Sequence, residues 1–241
     1  MERVPRLRGQ TNRGWRRTAR KLMGKPVTLH RDDPEKKPLV GHVKVTREDW
    51  LNVARDILVS DGVGEVKVLP IADRLNVSRS SFYWYFKSRK ALLNALLDDW
   101  EASNTQIIID LCSKDAPTIT QALLNFFTCF IDGSFDDGLD FAVREWSRRD
   151  GSVRARLDAA DRARVDAVIA MYLRFDYDPT DADTRARILY YMQLGYHALD
   201  VSESMEVRMK RLPGYLKGFT GVDPLPGEVD AFAKMAMQQM Q

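Results

Sequence analysis

Apolar positions recur along most of this chain at the three- and four-residue spacing of an amphipathic helix, with no sustained two-residue alternation that would make a strand. The first clear stripe is Trp50, Val53, Ala54, Ile57 and Leu58. Thr46 followed by Asp49 is an acidic N-capping pattern, and Glu48 and Asp49 suit a helix N-terminus. "SDGVG" stops that helix, with Gly62 placed as its C-terminal cap. A second short stripe is Val68, Ile71, Ala72 and Leu75. It requires a helix starting near Lys67, because Pro70 is tolerated only in a first turn. Asn76 stands where the chain must turn sharply, and Asn accepts the left-handed conformation better than most residues. Ser78 then predicts the cap of a third helix, and Ser88 the cap of a fourth that runs through "RKALLNALLDDWEA" and beyond. Further helical segments are expected near 118–131, 137–149, 152–175, 181–200, 203–219 and 227–240, separated by "SKDAP", "DGSFDDG", "DYDPTD" and "GVDPLPG". The expected fold class is all-α.

Residues 1–44 read differently. "RLRGQTNRGWRRTARK" holds one aromatic, Trp15, and no lasting apolar period, and "RDDPEKKPLVGH" continues it as a linker bearing Pro and Gly. This stretch carries 13 Lys and Arg against 4 Asp and Glu, whereas residues 45–241 carry 24 against 30. A basic, flexible arm on an acidic body points to a polyanionic partner for the arm, or to a solvated tail without one. Arg13, Arg16, Arg17 and Arg20 are its candidates for phosphate or minor-groove contact. Met23 is an alternative start. The expected organisation is an arm over 1–44, a first helical domain over 45–92 and a second over 93–241.

No apolar run approaches the roughly 20 residues of a membrane span. The Arg-rich start lacks the apolar segment of a secretory signal. Cys112 and Cys129 stand far apart and outside any C-x-x-C, so reduced thiols and a cytoplasmic location are expected. No reaction constellation is visible: H-E-x-x-H and P-loop signatures are absent, and "GVG" at 62–64 lacks the rest of a dinucleotide fingerprint. Paired carboxylates such as Asp136–Asp137 sit where helix ends are ordinarily solvated. Neither an enzyme, a metal site nor a cofactor is therefore expected.

The chemistry concentrates between Lys67 and Phe86, a helix, a tight turn and a second helix. In a helix-turn-helix the second helix enters the major groove and its N-terminal residues reach base edges. Val68, Ile71, Leu75 and Phe82 can pack inward against the first stripe, with Phe86 also in the core. That leaves Arg79, Ser80, Ser81, Tyr83 and Trp84 outside, and Ser78 with helical N–H groups able to meet a phosphate.

"IADRLNVSRSSFYWYFKSRKALLNALL" resembles the DNA-binding core of the TetR family of bacterial repressors, convincingly over residues 46–100. The resemblance implies an N-terminal three-helix helix-turn-helix domain, followed by a helical bundle that dimerises and binds small molecules. It implies that Arg79, Ser80 and Ser81 read bases and hold phosphates, that Tyr83 and Tyr85 face DNA, and that Arg89 clamps a phosphate. Trp84 either packs between helices or makes an apolar groove contact. The chain departs from the family pattern at "VKVLP", 66–70, where polar residues are usual, and Lys67 remains there as a phosphate contact.

In the body, Phe126, Phe130, Trp146, Met171, Tyr172, Tyr191, Tyr196 and His197 are candidates for the walls of an effector pocket, or for plain core. The expected function is a ligand-responsive, homodimeric transcriptional regulator, a repressor acting on a palindromic operator. The expected partners are double-stranded DNA, a small-molecule effector of unknown identity and a second copy of the chain, with no membrane. The alternative is a helical dimeric small-molecule-binding protein whose specific DNA binding is weak or lost.

Overall fold

The computed structural model describes residues 45–199, 201 and 203–238. The chain divides into two units between Lys44 and Val45, and the described residues lie in the second. The basic arm over 1–44, with its four candidate arginines, falls outside the described residues.

Among the described residues there are ten α-helices and no strand. Helix α1 spans Arg47–Asp61, opened by a reciprocal capping box between Thr46 and Asp49 and closed by Gly62 at φ 84°. Helix α2, Val68–Leu75, begins directly after Lys67, so Pro70 lies in its first turn as its missing N–H requires. Asn76 ends it in the left-handed conformation, φ 52° and ψ 48°. The expected third α-helix is instead a 3-10 helix, Arg79–Trp84. Ser78 does not cap it through its side chain: its Oγ pairs with Ser80 Oγ at 2.8 Å.

Trp50, Leu51, Ala54, Ile57 and Leu58 of α1, Ile71, Ala72 and Leu75 of α2, and Phe82 are buried together with Phe86. The Trp50 and Phe82 rings meet edge to face, 5.3 Å apart. Leu51 takes the inward position expected of Val53, which is half-buried. A three-element module has little interior, and two large rings fill most of it.

Helix α3 spans Arg89–Trp100, with Ser88 as its cap. It does not continue regularly: a π-helical segment, Glu101–Thr105, joins it to α4, Gln106–Ser113. The body is completed by α5 (Ile119–Thr128), α6 (Asp137–Ser147), α7 (Gly151–Leu173), α8 (Pro179–Ala198), α9 (Met205–Thr220) and α10 (Glu228–Gln238). Helix α7 is the central strut, packed on α4, α6 and α8. Its partners close a core that includes Ile108, Leu123, Phe126, Met171, Tyr172, Leu189 and Leu216. Helix α1 also packs on α6, which joins the first module to the body directly. Among the described residues no helix is long and apolar enough to cross a membrane.

Candidate DNA-binding surface and ligand cavity

The turn at Asn76 and the burial of Phe82 together fix which side of the 3-10 helix faces out. Arg79 and Ser80 are exposed, Tyr83 is 58% exposed and Trp84 85%. Trp84 is therefore not packed between helices. An indole this exposed on a short, rigid element is available to an external partner. Ser78 is exposed as well, and Ser81, half-buried, returns its hydroxyl to Ser78 O at 2.8 Å.

Three of the residues expected at DNA are engaged by the chain itself. Tyr85 is half-buried and its hydroxyl donates to Val45 O at 2.6 Å, so it ties the start of α1 to this module. Arg89 donates from Nε to Val66 O at 2.6 Å and from its fork to Val63 O. Those two carbonyls lie in the link between α1 and α2, where Val63 O also accepts from Val66 N at 3.3 Å. Arg89 thus holds that link, with part of its fork left exposed. Lys67 meets Glu65 at 3.1 Å, and Leu69 beside it is 55% exposed.

A cleft of about 150 Å³ opens in the body between the start of α6 and the end of α8, with Phe130 and Phe135 at its floor. Of the eight sequence candidates only Phe130 and His197 line it. Phe126, Met171 and Tyr172 are fully buried core, and Trp146 is buried away from the cleft. Tyr191 is 56% exposed on the opposite side of α8 from its buried residues, and Tyr196 bonds Glu203 at 2.6 Å and Arg208 at 3.0 Å. Helical spacing alone does not separate walls from core, because both are apolar and both face inward. The residues missed were both apolar, Ile108, Phe135, Phe141 and Leu194, and polar, Asp137, Asp140, Arg144 and Gln193. The acidic run "DDGLD" at 136–140 was the available signal, read as a solvated helix end.

Behind this cleft lies a buried ionic network. Asp140, 3% exposed, accepts from Trp100 Nε1 at 2.9 Å, Arg164 at 2.8 Å and Arg144 Nε at 2.8 Å. Arg144 also forks onto Asp161 at 2.8 and 2.7 Å, and the Tyr190 hydroxyl donates to Asp161 at 2.7 Å. Arg164 is wholly buried and stacks over Trp100 and Phe135. Burial works to raise the Asp140 pKa, but Arg164, Arg144 and the hydrogen bonds outweigh it and hold the carboxyl below its ordinary value. At the mouth, Asp137 sits 3.2 Å from His197 Nδ1, and His197 Nε2 lies 2.7 Å from Gln193.

The π segment explains how one helix reaches this network twice. In a regular α-helix, positions five apart point about 140° away from each other. The wider π turn brings them to the same side. Trp100 can then donate to Asp140 while Thr105 accepts from Arg164 Nε at 3.1 Å. Asn104 adds a two-way bond to the Asp136 backbone, at 2.7 and 3.1 Å, beside the cleft.

Cys112 and Cys129 are buried free thiols, and burial pushes Cys112 up to about 12 and Cys129 higher still. Neither is a thiolate near neutrality. Among the described residues no cluster of three or more His, Cys, Asp or Glu could hold a metal ion.

The described residues thus form a helix-turn-helix module with an exposed cationic and aromatic face, carried on a helical body with a cleft. The comparisons specify it. Residues 51–96 match the family model for bacterial regulatory proteins of the tetR family, and over this segment the chain carries that family's DNA-binding domain. The fold is that of tetR-family transcriptional regulators. E. coli NemR in its reduced form is similar at a TM-score of 0.56 and 18% identity, over 76% of this chain and 100% of that one. A transcriptional regulator from Aquifex aeolicus VF5 gives 0.54 and 16%, over 73% and 96%. A TetR transcriptional regulator from Legionella pneumophila gives 0.54 and 13%, over 83% and 100%. No curated protein matches the chain.

Proposed function

We propose that this chain is a ligand-responsive, homodimeric transcriptional repressor that binds a palindromic operator in double-stranded DNA through residues 78–86. The observation that carries this reading is the outward face of the 3-10 helix, where Arg79, Tyr83 and Trp84 stand exposed above a core pinned by Phe82. Arg79 reads a guanine through its fork. Ser78, Ser80, Ser81 and Tyr83 position the module on phosphates and sugars, joined by Lys67 and the exposed part of Arg89. Trp84 makes the apolar contact and Tyr85 acts by placing α1. The DNA module extends over 45–92 and the effector-binding and dimerising body over 93–241, with the arm over 1–44 a further contact to DNA. The chain works in the cytoplasm and is not an enzyme.

Dimerisation is assigned to α8 and α9. Ile188 and Tyr191 of α8 and Tyr215 of α9 are exposed, and the Cβ positions of Gly214 and Gly218 meet nothing within 4 Å. Glycines inside helices cost roughly 0.5–1 kcal/mol each, which close approach of a second copy would offset. Two copies must place their 3-10 helices about 34–36 Å apart to enter successive major grooves. A ligand preferring another spacing shifts the population away from DNA by its differential affinity.

Footprinting on DNA upstream of the chain's own gene tests the reading. A protected palindrome whose affinity falls steeply with salt is expected, because phosphate contacts release counterions. Uniform weak binding to all sequences would favour the second reading, a dimeric ligand-binding protein with weak specific DNA binding. That reading draws on the exposed Leu69 and the Glu65-paired Lys67, where a polar, unpaired face would suit DNA better.

A further inference from the structure

The cleft beside Asp137 has walls and charges that select one kind of occupant, an inference that rests on the effector-site reading above. Its floor and sides are phenylalanine: Phe130 and Phe135 lie 4.9 Å apart, and Phe141 is part-exposed at the edge. A space of about 150 Å³ admits a single six-membered ring and little more.

Most polar groups behind it are committed to one another, the buried Arg164 Nη2 alone among the network's nitrogens having no hydrogen-bond partner. Asp140 accepts from three donors, Arg144 spends its fork on Asp140 and Asp161, and the Tyr190 hydroxyl donates to Asp161. Recruiting any of them for a ligand would break a buried ion pair, which costs several kcal/mol. Asp137 is different. Its carboxylate receives the Gly138 N–H at 2.9 Å and its own backbone N–H and meets His197 at 3.2 Å, and its side chain is 53% exposed. Two carboxylate oxygens offer about four acceptor sites, so capacity remains.

The charge balance has the same sign. Around the cleft three carboxylates, Asp137, Asp140 and Asp161, face two guanidinium groups, Arg144 and Arg164, with His197 beside Asp137. An anion there would meet carboxylates and an arginine already engaged. A cation would meet an acceptor and the faces of phenylalanine rings.

We propose that the cleft binds a small monocyclic amine as its ammonium form, with the ring against Phe130, Phe135 and Phe141 and the nitrogen on the Asp137 carboxylate. Asp137 is the specificity-determining residue of this site.

Calorimetric titration of the full chain with benzylamine, benzyl alcohol and benzoate tests the assignment. The amine binds about tenfold tighter than the alcohol, the gain of one charge-assisted hydrogen bond, and benzoate binds weakest. Asp137→Asn closes the gap between amine and alcohol, and Asp137→Glu restores part of it. Benzoate binding as tightly as benzylamine, a gap that survives Asp137→Asn, or no binding by any probe overturns the proposal. Should Asp137→Asn fail to fold, Phe141→Trp narrows the cleft and must weaken benzylamine; unchanged affinity overturns the proposal equally. Operator binding by the unliganded chain, measured on the same preparation, tests the regulator reading separately.

Discussion

Trp100 and Arg164 meet one carboxylate from two different helices, and that meeting concentrates more consequence in single residues than any other place in the body. Removing Asp140 leaves a wholly buried guanidinium with only the more distant Asp161, 3.9 Å away, as its counter-charge. Asp140→Ala is expected to cost about 3–5 kcal/mol of stability by urea unfolding. Because the native pKa of Asp140 lies below its unfolded value, its contribution is complete above about pH 3.9. It is lost as pH falls through the depressed native value, so the difference between wild type and Asp140→Ala shrinks in that acid range. Arg79 and Arg89 separate in the same way by what they touch. Arg79→Ala relaxes sequence preference by about 1–3 kcal/mol at one base pair in competition binding assays. Arg89→Lys keeps the charge but not the fork that bridges Val63 and Val66. It therefore weakens binding to all sequences alike and lowers the melting temperature, whereas a pure phosphate clamp would tolerate it.

Single elements were legible where a local rule sets them. Thr46 with Asp49, Gly62 and Asn76 each mark a boundary through their own backbone or side-chain chemistry, and each stands in the expected geometry. Asn76→Ala forces a β-carbon into the left-handed region and is expected to cost about 1 kcal/mol by thermal unfolding, while Asn76→Gly is close to neutral. The 3-10 winding at Arg79–Trp84 and the π segment at Glu101–Thr105 were not legible. Both are settled by partners distant in sequence: Phe82 against Trp50 in the first, Asp140 and Arg164 in the second. Apolar spacing locates a helix; it does not report how tightly the helix is wound. For the same reason the cleft residues at Asp137, Arg144 and Gln193 escaped a reading that searched for aromatic walls.

For the molecule as a whole, the joint between the helix-turn-helix module and the body runs through α1, α3 and α6. Arg55 pairs with Asp99 across α1 and α3, and Arg156 of α7 reaches Asp98 at 2.7 Å and Glu101 at 2.6 Å. Helix α6, which lines the cleft, packs on both α1 and α3. Assembly is tested by charge: Ile188→Glu together with Tyr191→Glu places carboxylates on the outer stripe of α8. Sedimentation is expected to return a monomer with an unchanged circular dichroism spectrum, and affinity for a palindrome is expected to drop to that for a half-site. The π segment has a consequence of another kind. A widened turn holds one residue more than an ordinary one, so a chain shortened by a single residue at Ala102 or Ser103 has somewhere to take up the slack. The flanking helices would stay in phase, and Trp100 and Thr105, then four positions apart, would keep one face of the helix and their shared hold on the Asp140–Arg164 pair.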